Sequence, residues 1–141
     1  MTLLSNYSFS FQFAGFAQRC IAAMVDALVL NLAIIIIIYL SGIDPRQVSE
    51  GPRVLLIWVM VPWFYFTALE SSSRRGSLGK TMMNIVVTDC DGKRASFGRV
   101  GIRNALKIGT LGIGFFLMPF NRRRQALHDM ISGSVVIVNT D

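Results

Sequence analysis

Apolar residues run almost unbroken from Cys20 to Leu40, and that run sets the plan of the chain. Only Asp26 and Asn31 interrupt it, and a helix rising about 1.5 Å per residue would carry it across roughly 31 Å, the thickness of a bilayer core. It predicts a first membrane span over residues 19–40. The loop from Ser41 to Arg53 holds Gly42, Pro45, Gly51 and Pro52, all breakers. Val54 to Leu69 is again free of charge, with Trp58, Trp63, Phe64, Tyr65 and Phe66 crowded around Pro62. It predicts a shorter second span over 54–69, kinked near Trp58 because proline removes a backbone donor and clashes with the preceding turn. Glu70 should close that span at the interface.

Other periods are shorter. Tyr7, Phe9, Phe11 and Phe13 alternate with polar residues, a period of two that suits an extended segment along the membrane interface, or else a tail without order. The β-branched stretches Ile85–Thr88 and Ser134–Val138, with the Asp91-Gly92 turn signal after the first, predict two strands. Each is the other's natural partner if both lie on one side of the membrane, an arrangement that would bring Asp129 within reach of Arg19. Ser96 can cap a helix whose Arg99, Arg103 and Lys107 fall four residues apart, a basic stripe on an amphipathic helix at the interface. Ile108 to Phe120 then gives thirteen uncharged residues, about 20 Å as a helix. That length fits a segment that re-enters the membrane, or one that spans it if a tilted helix begins near Ile102.

The fold class expected is an all-α polytopic membrane protein with two transmembrane helices, an interfacial amphipathic helix, a third apolar segment that re-enters or spans, and a small two-stranded β ribbon. Residues 1–141 form one domain. Its parts are an interfacial segment (1–18), spans at 19–40 and 54–69, the amphipathic helix and third apolar segment (96–120), and a C-terminal arm (121–141).

Composition agrees: 52% of residues are hydrophobic and 16% charged, too apolar for a soluble domain that must cover its surface. The net charge of +6 at first invites nucleic acid. Yet the cations lie beside apolar segments, where anionic lipid is the nearer partner, so Arg74, Arg75, Lys80, Arg99, Arg122, Arg123 and Arg124 are expected at lipid head groups. Seven Lys or Arg between Glu70 and Arg103, together with the triple arginine, place both regions on the positive side. Both termini are then cytoplasmic, in a multi-pass membrane protein. The first span is too long for a signal-peptide core and is expected to stay in the mature protein. Cys20 and Cys90 have neither metal spacing nor a reason to pair.

Residues 71–81, SSSRRGSLGKT, resemble a phosphate loop until the spacing is checked: Arg74 stands where the first glycine should be. Asp89 and Asp91 are too few for a calcium loop. His128 beside Asp129 lacks the nucleophile or further ligands that catalysis or a metal would need. No enzyme activity, cofactor or metal is expected. The ionisable groups inside the first span carry more weight, because a carboxylate at mid-membrane costs about 2.5–3.5 kcal/mol on insertion scales. Arg19 and Asp26 are two turns apart on one face and cannot pair within the helix, so each needs a partner elsewhere. Arg103 and Lys107 are the candidates for Asp26, and Asn31, about 140° further round, is expected to bond another helix. A plainer reading has Arg19 snorkelling to phosphates and Asp26 serving helix packing.

Several of these pieces occur together in a known order: Gly15-Phe-Ala-Gln-Arg19 leading to Asp26, Leu78-Gly-Lys80-Thr, Val-Val-Thr-Asp89-x-Asp91-Gly92, Ser96-Phe-Gly-Arg99, Arg103-Asn104, and Asn121-Arg-Arg-Arg-Gln-Ala-Leu127-His128-Asp129-x-x-Ser-Gly133. The pattern resembles the RDD family of bacterial membrane proteins over residues 14–138. The family is named for one arginine and two aspartates, which the resemblance assigns to Arg19, Asp26 and Asp129. A threonine commonly follows the last glycine, where this chain has Ser134. The resemblance implies a bacterial inner (cytoplasmic) membrane and transport of ions or other ligands. The expectation is therefore an ion or solute path through a homo-oligomer, centred on Arg19, Asp26 and Asp129 and supported by Asn31, Glu70, Arg103 and Lys107. The alternative is an accessory subunit of a larger membrane complex, with the same charges as docking contacts. A membrane enzyme comes third.

Overall fold

The computed structural model describes residues 12–48, 51–110 and 112–140. Residues 1–11, most of the expected interfacial segment, lie outside the described residues. α1, Phe16–Ser41, is the long apolar helix, ended by Gly42 in the left-handed conformation. Its buried residues, Arg19, Ala22, Asp26, Leu30 and Ile34, form one narrow stripe at spacings of three and four. Outside that stripe Met24, Leu28, Leu32 and Ile35 to Ile37 are exposed. A helix that shows apolar residues outward and buries charges inward inverts the arrangement that water imposes, and it suits a lipid surround.

A short helix α2 (Pro45–Val48) precedes α3, Pro52–Ser71. α3 begins with proline in its first turn, where the missing donor costs nothing, and continues through Pro62 as one helix rather than ending there. Among the described residues α1 alone is long and apolar enough to cross a membrane as a single helix; the apolar part of α3, Leu56–Ser71, is shorter. An apolar groove of about 750 Å³ lies between the two helices, walled by Leu30 and Ala33 of α1 and by Met60, Phe64 and Ala68 of α3.

Next come α4 (Leu78–Met82), β1 (Ile85–Asp89) and α5 (Phe97–Gly109), then a 3-10 segment (Ile113–Phe120), α6 (Leu127–Ser132) and β2 (Ser134–Val138). β1 and β2 pair antiparallel with Val87 opposite Val136, as the two β-branched stretches predict. A third stretch joins them: Phe13 bridges Ile137, Ala14 N–H donates to the Val136 carbonyl, and Val138 N–H donates to that of Gln12. Ile85, Val87, Val136, Ala14 and Ala22 form the small apolar core beneath this sheet. The sheet therefore ties the entry to α1, the segment after α3 and the C-terminal strand into one layer.

Ser96 caps α5 by accepting from Arg99 N–H, as expected, but the helix faces the other way from the interfacial reading. Val100, Gly101, Arg103 and Asn104 are buried, whereas Phe97 and Ile102 are exposed. Its polar side packs on α3, with Trp63 Nε1–H donating to the Gly101 carbonyl. α5 and the 3-10 segment meet at 108°, so no straight span begins at Ile102. The glycines explain the break: Gly112 takes φ 76°, a conformation other residues resist.

Candidate functional site

The charged residues scattered through the sequence converge where α1, α3, α4, α5 and α6 meet. Arg19, from the first turn of α1, donates from Nη1 to Asp129 Oδ2 at 2.5 Å and from Nη2 to the Arg124 carbonyl at 3.0 Å. Asp129, in the first turn of α6, accepts from Arg103 Nε through its other oxygen at 2.6 Å. Arg103 reaches on through Nη1 to Glu70 Oε2 at 2.5 Å, and Lys80 donates to Glu70 Oε1. The result is one buried chain of alternating sign, Arg19, Asp129, Arg103, Glu70, Lys80. Each member is at most 6% exposed.

The two buried carboxylates take further donors from close by. Asn104 donates to Glu70 at 3.2 Å, and Ala126 N–H donates to Asp129 Oδ2 at the same distance. Such satisfaction is what makes buried ion pairs tolerable, since the desolvation cost of each ion is repaid only by good geometry and full hydrogen bonding. Burial alone would raise the Asp129 pKa, but Arg103 and then Arg19 hold it well below the usual carboxylate range. For Lys80 the balance goes the other way: burial, then the neighbouring Arg103, push its ammonium down to about 7 despite Glu70. Burial also pushes the His128 imidazole down to about 3, against the pull of Asp129, so His128 is neutral near pH 7. Both its ring nitrogens are buried without a hydrogen-bond partner among the described residues.

Asp26 is held differently. Its Oδ1 accepts from Gly79 N–H at 2.8 Å and from the Tyr65 hydroxyl at 3.0 Å, and its Oδ2 accepts from the Ser77 hydroxyl at 2.5 Å. Neutral donors thus receive the carboxylate, rather than Arg103 or Lys107, the partners expected from sequence. The α4 turn approaches α1 closely enough for this because residue 79 is a glycine. The SSSRRGSLGKT stretch does present backbone N–H to an anion, as a phosphate loop would, but the anion is the chain's own Asp26.

Other expectations are revised by burial. Glu70 is 0% exposed, at the junction of two cations, instead of closing the span at the interface. Lys80 turns inward to it and does not face lipid head groups. Arg103 leaves the expected basic stripe for the core, while Arg99 stays exposed, 4.0 Å from Asp89. Lys107 lies over the Phe66 ring, 3.9 Å from its centroid. Asn31 donates to the Ala27 carbonyl of its own helix, not to a neighbour. Arg75 is half-buried and donates to the Gly92 carbonyl, whereas Arg74, Arg122, Arg123 and Arg124 are exposed. Asp89 Oδ1 accepts from Asp91 and Lys93 N–H, the turn the sequence signals in place of a calcium loop. Cys20 and Cys90 are free thiols.

Sequence reasoning missed Tyr65, Ser77, Gly79 and Asn104 as members of the site. The available signals were Ser77 as a helix cap before Leu78-Gly-Lys80-Thr, and the motif pieces that contain Gly79 and Asn104.

The chain is similar to two proteins of Bacillus subtilis (strain 168). It is 25% identical to the uncharacterized protein YxaI, over 88% of this chain and 96% of that one. It is 28% identical to the uncharacterized protein YckC, over 90% of this chain and 85% of that one. No solved structure matches it. The RDD family matches residues 13–133, which include the whole network from Arg19 to Asp129, and together with the apolar α1 this supports a membrane protein. The chain belongs to the RDD family.

Proposed function

We propose that this protein carries ions or small solutes across the bacterial inner membrane as a homo-oligomer, with Arg19, Asp26 and Asp129 at its charged centre. The observation that carries this reading is the burial of six charged residues, Arg19, Asp26, Glu70, Lys80, Arg103 and Asp129, with the half-buried Lys107 beside them, around one small cavity and its immediate partners. Ionisable groups at membrane depth are expensive and are retained where they serve passage or relay. α3 acts as the second span, its shortness offset by tilt or by local thinning of the bilayer. The sheet that joins residues 12–14 to β1 and β2 supports placing both termini on one side, and the cluster of exposed cations nearby favours the cytoplasmic side. Two spans are few to enclose a path, hence the homo-oligomer. Anionic lipid is the partner of Arg74, Arg99 and the triple arginine, and the reading assigns no catalysis.

Reconstituted vesicles test it. Wild-type protein should pass at least one ion, and Asp26→Asn, which keeps the size of the side chain and removes its charge, should abolish flux while insertion and oligomer size stay intact. A second reading has the protein as an accessory subunit of a larger complex. It draws on the completeness with which Glu70 and Asp129 are paired, a feature of a structural clasp. Absence of flux with every tested ion, with loss of a co-purifying partner in Asp26→Asn, would decide for that reading.

A further inference from the structure

A cavity of about 10 Å³, room for one water-sized guest, lies at the centre of the network. Arg19 and Asp26 line it from α1, Lys80 from α4, Arg103 and Lys107 from α5, and Phe115 from the 3-10 segment. Behind this lining, Glu70 of α3 bonds Lys80 and Arg103, and Asp129 of α6 bonds Arg19 and Arg103. His128 adds no charge near neutral pH. With Lys80 protonated, four cations face three carboxylates, leaving one positive charge uncompensated among the described residues. The surplus falls on Lys107, which meets the Phe66 and Phe115 rings and no carboxylate within ion-pair distance among the described residues. A second observation is independent of this count: Arg19, 3% exposed, has its Nε buried without a hydrogen-bond partner among the described residues.

We infer that this cavity binds one small monovalent inorganic anion, held by Lys107, Lys80, Arg19 and Arg103. An unpaired buried charge is costly, and an anion here would relieve it while giving the idle Arg19 donor an acceptor. Space for a single water-sized guest rejects carboxylates and phosphate esters. Fluoride is close to water in size, and chloride would need the half-buried Lys107 side chain to give way. The inference rests on the path reading for its role, since it names what the charged centre holds, but the binding itself stands apart from transport. Lys80 faces the cavity with its ammonium pushed down to about 7 by burial and Arg103, so the site takes up its anion more readily below that pH than above it.

The test uses the full chain purified in detergent, with sodium fluoride or chloride compared against sodium gluconate at equal ionic strength. Fluorine and chlorine NMR line broadening reads the bound halide, and Tm reads its linkage to folding. The expected result is saturable broadening by at least one halide, with a Tm that climbs with its concentration, more below pH 7 than above. Lys107→Met removes the surplus charge, keeps a long apolar stem and should weaken halide binding by about tenfold or more. Asp26→Asn increases the surplus and should tighten it. Equal response to fluoride, chloride and gluconate, or halide binding unchanged in both variants, overturns the site. Halide binding without any flux would remove the path reading and leave the site standing; flux without halide binding would do the reverse.

Discussion

A β-carbon on Gly79 would lie 2.0 Å from the carbonyl oxygen of Ala22. The obstacle is backbone inside a continuous helix, so it cannot rotate aside as a side chain would. Gly79→Ala must therefore push α4 off α1, and with it the Gly79 N–H and Ser77 hydroxyl that hold Asp26. Overpacking of this kind costs about 1–3 kcal/mol. Gly98→Ala is the control, since nothing lies within 4 Å of a β-carbon there, and it should leave stability within about 0.5 kcal/mol. Thermal unfolding of both variants in detergent checks the pair.

Asp129→Asn should be among the most damaging single changes. It leaves Arg19 and Arg103 buried with one carboxylate, Glu70, between them, and removing one partner from a buried ion network costs about 3–5 kcal/mol. Because the folded Asp129 pKa lies below the ordinary 3.8, the advantage of the wild type is complete above that pH. It is lost as pH falls further, where the unfolded chain takes up a proton that the folded one refuses. Denaturation of the two proteins at neutral and strongly acid pH should show a wide gap that narrows only in acid.

His128 gives stability a second pH dependence, at milder acidity. In the unfolded chain its imidazole protonates near 6.5, in the fold only at about 3. Across that window the unfolded state binds more protons, so stability must fall as pH drops from 6.5 towards 3. His128→Phe, which keeps a ring beside Phe115 and cannot titrate, should flatten the Tm profile over the same range. A profile equally steep in the variant would assign the acid sensitivity to other groups.

What the sequence disclosed follows from how each signal is carried. The pairing of Ile85–Asp89 with Ser134–Val138 was legible because β-branched runs advertise strands, and once paired they bring Asp129 to Arg19. The helix cap at Ser96 was legible for the same local reason. The partners of Asp26 were not: the Gly79 donor is a backbone N–H, which every residue but proline possesses, and only the fold decides where it points. Arg103 shows another limit. Four-residue spacing aligns it with Arg99 and Lys107, but spacing cannot say that Arg103 alone reaches two buried carboxylates while Arg99 stays exposed. The third apolar segment was short for a reason visible in its glycines, and the bend at Gly112 is the form that shortness takes.

The bond between Arg19 and Asp129 joins residues 110 positions apart, one in the first turn of the first helix and the other near the end of the chain. A ribosome adding about 5–20 residues per second needs on the order of ten seconds to supply the second partner after the first. Throughout that interval the guanidinium of Arg19 has neither the Asp129 carboxylate nor the Arg124 carbonyl to bond. The Asp26 bonds to Tyr65, Ser77 and Gly79 can form first, so the Arg19 clasp closes late, and a nascent chain truncated before Asp129 has only the Asp26 bonds to hold its most apolar helix in place.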